Sequence, residues 1–419
     1  MTNMPKISPA VEGLIARAEA DCAEAFGKMD QVEYANTRRV IEAFQRHRVS
    51  ARHFAPTTGY GYDDIGRDTL GEILAEVLGT ECALARPQIA SGTHALALCL
   101  YGVLRPGDVM LSGAGKPYDT MEEVIGIAGT AGNGSLADFG VKYRQVELQN
   151  GKIDIPAIMD ALTPDVKLVL LQRSRGYDWR PSLSVAELNE AIDAIHEKRP
   201  DTCVMVDNCY GEFTNAEEPR ADLMAGSMIK NPGGGIAPTG GYIAGRRKFV
   251  DLVSYRLTSP GIGAEVGSYA GSYQPFYQGL FQAPHTVAQA VKSAILASRA
   301  FELLGFDVNP RYDAPRNDII EAIRFGDADK LIRFIQAIQM CSPVDAEAIP
   351  EPWAMPGYQD QVIMAAGTFV AGASVELSAD APIRPPYIAY MQGALTYAHG
   401  RLGTMGAIQT MLNEGLIRL

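Results

Sequence analysis

The sequence predicts an α/β protein built on a large, mostly parallel sheet covered on both faces, with an N-terminal helical arm and a smaller C-terminal α+β unit. Two patterns predict it. Short apolar runs (ECALARPQIA, DVMLSG, KLVLLQ, TCVMVDN and GGYIAG) recur along the chain, and helical patterns such as MEEVIGIAG and SVAELNEAIDAIHEK separate them. Strands of this continuously apolar kind belong to sheets buried on both faces. The chain of 419 residues is long enough for two or three domains around one or two cores.

In chain order, Ser8-Pro9 opens a helical region over residues 8–48, where VEGLIARAEADCAEAF keeps apolar residues at helical spacing. A loop rich in Gly, Thr and Tyr follows, HFAPTTGYGYDDIGRDT, and then a helix from Leu70 to Gly79. The strand and helix alternation comes next. After about residue 285 the pattern changes to one long helix, HTVAQAVKSAILASRAFELLG, and then to a smaller unit that includes GTFVAGASVELSA. The expected division is an arm and dimer loop over 1–60, a large domain over 61–285 and a small domain over 286–419.

Composition narrows the function. Hydrophobic residues make up 47% and charged residues 21%, as in ordinary soluble proteins. A net charge of -12 and a pI near 5.1 argue against nucleic acid, because no broad basic face exists to neutralise phosphates. No apolar run reaches the length of about 18 residues that a membrane span needs. The first residues lack the apolar core of a signal peptide. Six cysteines without CxxC spacing argue against a zinc site and a disulfide framework, so no metal is expected and a reducing cytoplasm is.

Four features stand just beyond strands. Ser91-Gly92-Thr93 opens an apolar helix, where backbone N–H groups and the helix dipole favour an anion. Asp207 ends the run TCVMVD, at the carboxyl edge where α/β sheets bind ligands. Tyr118 follows DVMLSG and offers a ring that can stack on a flat ligand. Lys230 sits at the end of a buried run, directly before Asn231-Pro-Gly-Gly-Gly235. Taken singly, each has a plain alternative: a helix cap for Ser91 or Thr93, a cap for Asp207, a loop anchor for Tyr118, a surface lysine for Lys230. Together, in this order, they match what pyridoxal 5′-phosphate needs: an anion cradle, a stacking ring, a carboxylate for the pyridine nitrogen and a lysine for the aldehyde.

The chain also resembles the fold-type I pyridoxal-phosphate enzymes of the Cys/Met-metabolism group, and most closely the methionine γ-lyase-like family also labelled aluminium resistance proteins. The strings that carry the resemblance span nearly the whole chain: TTGYGYDDIGRDTL, RPQIASGTHAL, GKPYDTMEEVIG, QRSRGYDWRPSL, VDNCYGEF, GSMIKNPGGGIAPTGGYIAG, PWAMPGYQDQVIMAAGTF and ELSADAPIRPPY. The resemblance implies that Lys230 binds the aldehyde and shuttles protons, that Asp207 pairs with the ring nitrogen, and that Tyr118 stacks and serves as acid or base. It gives Ser91, Gly92, Thr93 and Ser227 to the phosphate. Tyr62 matches a tyrosine that reaches the phosphate of a neighbouring subunit, with Tyr60 beside it on the substrate side, which implies a homodimer or homotetramer with shared sites.

Three positions depart from better-known γ-lyases. Asp64 stands where they carry a phosphate-binding arginine, and Arg67 is the expected substitute. Ile229 replaces a threonine before the lysine. Glu376 occupies the place of the arginine that holds the substrate carboxylate, and its charge is expected to repel the substrate. Arg384, flanked by prolines, is therefore the first choice for that task and Arg175 the second. The implied activity is elimination of a γ-substituent from a small α-amino acid, with β-elimination second. An aminotransferase, a transsulfuration synthase or a non-catalytic cofactor-binding protein are the rivals.

Overall fold

The computed structural model describes residues 4–419, so the first three residues of the expected arm lie outside the described residues. Helix α1 (Pro9–Arg46) starts where the sequence places it: Ser8 Oγ accepts from the Val11 N–H, and Pro9 sits in the first turn, where its missing N–H costs nothing. No proline interrupts it, so the whole segment is one 38-residue helix. Helix α2 (Ile65–Leu78) begins five residues before the expected Leu70, because Asp64 caps it by accepting from the Arg67 N–H at 3.0 Å. It stops at Gly79, which takes a left-handed φ of +71°.

Seven strands form the large sheet: β1 (Cys82–Arg86), β2 (Val109–Ser112), β3 (Lys142–Gln145), β4 (Val166–Gln172), β5 (Cys203–Asp207), β6 (Leu223–Ser227) and β7 (Gly241–Gly245), in the order β1-β7-β6-β5-β4-β2-β3. All pairings are parallel except those of β7, which runs antiparallel to β1 and β6. The apolar runs are explained by two covered faces. In β4, Val169 and Leu171 enter one core, while Leu168 and Leu170 enter the other. Helix α3 (Gly92–Val103) supplies Leu96 and Leu100 to the second core, and α7 (Arg247–Leu257) supplies Val250 and Val253. Helix α6 (Val185–Lys198) faces the first core through Leu188 and Ile192. Two short helices, α4 (Asp119–Ile125) and α5 (Ile155–Ala161), complete the connections.

Helix α8 (Gln274–Leu303) begins eleven residues before the expected His285. Pro284 lies inside it, one residue before the expected start. The helix runs unbroken through residue 285. Val287 and Val291 lie in the large-sheet core, whereas Leu296 and Phe301 pack into a separate core with the C-terminal unit, so α8 joins the two. That unit holds an antiparallel sheet of β8 (Asp307–Asn309), β9 (Ile320–Arg324), β10 (Val362–Ala365), β11 (Ser378–Pro382) and β12 (Ile388–Gln392), ordered β10-β11-β12-β9-β8. Helices α9 (Ala328–Met340) and α10 (Tyr397–Asn413) cover it. Among the described residues no helix is long and apolar enough to cross a membrane.

Candidate active site

The carboxyl ends of β5 and β6 and the first turn of α3 converge on a cavity of about 260 Å³ that Asp207, Ser227, Lys230, Tyr118, Gly92 and Thr93 all line. Ser91 lines it as well, and its Oγ also caps α3 by accepting from the His94 N–H at 3.0 Å. Both readings of this serine hold at once. Gly92 is closely packed: a Cβ there would lie 3.2 Å from Cys209 Sγ and 3.5 Å from the Ser227 Cβ. Thr93 Oγ1 lies 2.9 Å from Thr120 Oγ1 at the same edge.

Lys230 reaches the cavity because the chain turns sharply behind it. Residues Asn231–Gly233 form a single 3₁₀ turn, and Gly234 continues at φ +56°. A Cβ on Gly233 would stand 1.8 Å from the Met228 carbonyl oxygen, so the turn admits only glycine. The Lys230 ammonium lies 4.1 Å from the centre of the Tyr210 ring. Burial works to lower its pKa, but Tyr210, Cys209 and Asp207 around it outweigh that and hold the proton on. Asp207 is the reverse case. Burial raises its pKa, and the opposing effects are an N–H donated by Cys209 at 3.1 Å and the Lys230 charge. Tyr118 is pushed up by burial too, and its hydroxyl lies 2.8 Å from that of Tyr358.

The structure does not bring the other expected residues to the cavity. Tyr60 and Tyr62 stand on the surface, 73% and 61% exposed, with their rings 5.7 Å apart. Arg67 cannot replace a phosphate-binding arginine: it is buried, and it donates to the Gly61 carbonyl at 2.7 Å and to Asp68 at 2.7 Å. Asp64 is a structural cap that also accepts from the Tyr273 hydroxyl at 2.8 Å. Glu376 does not face the substrate. Its two oxygens each accept at 3.0 Å, from the N–H groups of Phe369 and Val370, and so fix that loop. Arg384 pairs with Asp360 at 2.8 Å and lines a separate cleft with Trp179 and Tyr390. Arg175 is fully buried, donating to the Asn309 carbonyl at 2.6 Å with Asp318 3.8 Å away, although its neighbours Ser174 and Gly176 line the cavity. Among the described residues no arginine or histidine lines the cavity.

Several lining residues escaped the sequence reading: Tyr210, Tyr358, Asp380 and Gln392. Tyr358 follows the Pro356-Gly357 turn and Asp380 lies in β11, inside PWAMPGYQDQ and ELSADAPIRPPY, strings that marked the region without assigning these residues a role. Tyr210 carries a positive φ of 71°, which sequence does not announce for a tyrosine.

The sequence matches the methionine gamma-lyase family over residues 11–412. The chain belongs to the methionine gamma-lyase family. YnbB of Bacillus subtilis is 52% identical over 403 residues, covering 95% of this chain and 96% of its own. A solved structure from Clostridium novyi NT, described as a carbon-sulfur lyase involved in aluminum resistance, is 49% identical with a TM-score of 0.92 and covers 96% of each chain. The L-methionine gamma-lyase of Pseudomonas putida is 27% identical over 197 residues, 46% of this chain and 45% of its own. This family uses pyridoxal 5′-phosphate, and the residues present fit it. Asp207, buried with only an N–H on Oδ1, suits a protonated ring nitrogen. Gly92 and the α3 N-terminus leave the space and the donors for a phosphate, and Lys230 stands in the same cavity for the aldehyde.

Proposed function

We propose that this protein is a pyridoxal-phosphate-dependent lyase that eliminates a γ-substituent from a small α-amino acid, a thiolate first, with a halide or activated hydroxyl obeying the same electronics. The observation that carries the reading is one cavity with Lys230, Asp207 and the Tyr118–Tyr358 hydroxyl pair on its walls. When bound, the cofactor supplies a covalent hold on the substrate amine and a sink for the electrons of Cα. Asp207 would hold the ring nitrogen protonated, and Tyr118 would hold the ring. Lys230, which lines the same cavity, would take the Cα proton. Elimination at Cγ needs a second proton to leave Cβ, and two candidate carriers, Lys230 and Tyr118, are at hand. Tyr358 holds a hydroxyl against that of Tyr118 and so passes a proton toward the leaving group.

Elimination at Cβ is the alternative, because the same residues serve it with one proton transfer fewer. Product analysis separates the two: a four-carbon 2-oxo acid and ammonia from methionine or its γ-substituted analogues supports γ-elimination. Pyruvate from β-substituted substrates, with no γ-turnover, moves the assignment. Borohydride reduction followed by peptide mapping is expected to label Lys230, and Lys230→Ala to lose both the label and turnover. A label on another lysine overturns the site. We also place the protein in the cytoplasm, a reading supported by six free cysteines. The assembly we infer is a homodimer, or a homotetramer made of two such dimers.

A further inference from the structure

The small sheet contributes one carboxylate to this cavity. Asp380 lies in β11 opposite Tyr390 of β12, and its side chain is buried in the cavity wall. Its closest hydrogen-bond donor is neutral: Gln392 Nε2, at 3.0 Å from Oδ2, which also donates to Ser378 Oγ at 3.3 Å, and the Tyr177 hydroxyl acts on the same carboxyl. Resting on the reading above, the cavity's two obvious charges are already matched, Asp207 by the ring nitrogen and Lys230 by its bond to the cofactor. Lys230 is the one cation among the described residues that line the cavity, and on that reading it is engaged by the cofactor, so Asp380 meets no arginine or histidine there. The Tyr358 ring lines the same space. Burial lifts the Asp380 carboxyl to about 6, against the effects of Gln392, Tyr177 and Lys230.

We propose that Asp380 is a specificity-determining residue, which makes this a site for amino acids whose side chain carries a cationic amine. A second, anionic carboxylate on the side chain would meet an unneutralised negative charge and be refused.

Three ligands of equal backbone length test this on the holoenzyme: L-lysine, L-norleucine and L-2-aminoadipate. They end in a cation, a methyl group and a carboxylate, and none has a leaving group, so binding is read by calorimetry without turnover. The expected result is lysine at least about tenfold tighter than norleucine, with aminoadipate weakest. Asp380→Asn is expected to bring lysine down to the norleucine level while norleucine moves by less than about twofold, and Asp380→Glu to retain the preference for lysine. Norleucine binding as tightly as lysine to the unaltered enzyme overturns the proposal. So does an equal loss for all three ligands in Asp380→Asn, which would assign the carboxylate to the common α-ammonium or to the fold. Release of 2-oxo acid from thioether amino acids tests the lyase reading separately, because the binding order needs no turnover.

Discussion

Glu212 carries a cost that pH should reveal. Its carboxyl is fully buried beneath β6, with one oxygen accepting from the Tyr242 hydroxyl at 2.7 Å and the other without a partner. Burial raises its pKa to about 8, so the folded protein holds this proton at neutral pH, whereas the unfolded chain releases it near the ordinary value of 4.5. The folded state therefore binds more protons, and its stability falls as pH rises between those two values. Glu321 and Asp380, pushed up by burial to about 7 and about 6, act in the same direction. Urea unfolding of Glu212→Gln is expected to show a flatter decline from pH 5 to pH 8, by on the order of 1–3 kcal/mol. A slope unchanged from the unaltered protein would mean that Glu212 is ionised when folded. None of this is written in the string CYGEF, because burial depends on strands far away in the chain. The same holds for the cavity's charges. Lys230, Asp207, Gly92 and Tyr118 were legible because each follows a strand whose end the sequence marks. Arg384 and Arg175 misled because a guanidinium's partner, Asp360 for one and the Asn309 carbonyl for the other, is set by tertiary contacts.

At the scale of elements, the turn behind Lys230 depends on helix α8. A Cβ on Gly279 would lie 2.2 Å from the Gly233 carbonyl oxygen, and one on Gly234 would lie 2.4 Å from the Gly279 carbonyl oxygen. Helix and turn thus meet backbone to backbone, and the position of Lys230 is fixed from behind. Alanine normally favours a helix over glycine by about 1 kcal/mol, but at Gly279 the clash decides the sign. Gly279→Ala is expected to destabilise by about 2–4 kcal/mol in urea unfolding and to weaken cofactor retention. Gly27→Ala in α1 is the control: nothing stands within 4 Å of that Cβ, so a gain of up to about 1 kcal/mol is expected. A destabilisation in the control, or none at Gly279, would contradict the contact. The strands were legible because two-sided burial demands continuous apolar runs. Helix starts were less so: α2 begins at a cap inside a glycine-rich loop, and α8 carries Pro284 in its body.

For the whole molecule, the loop at Tyr60 and Tyr62 leaves two aromatic rings on the surface. The rings lie 5.7 Å apart and form a small exposed aromatic pair. Their loop is nonetheless held firmly. Ser268 Oγ donates to the Gly59 carbonyl at 2.7 Å, the Gly267 N–H donates to the Tyr60 carbonyl at 2.9 Å, and Arg67 grips the Gly61 carbonyl from beneath. Gly61 sits at φ +64°, with Ser268 backbone where a side chain would go. A rigid loop loses little entropy on docking, which favours a binding surface over a mobile hairpin. We therefore predict that Tyr62 completes the phosphate end of a neighbouring subunit's site. Tyr62→Phe subunits keep Lys230 but lack the hydroxyl donated across, and Lys230→Ala subunits keep Tyr62 but have no working site of their own. Mixed in equal amounts, they form hybrids in which one site combines an intact Lys230 with an intact Tyr62. Random exchange places about a quarter of all sites in that state. Activity is expected to rise toward that fraction above either parent, and cofactor affinity to recover in the same sites. Verified exchange with no recovery would leave each site complete within its own chain.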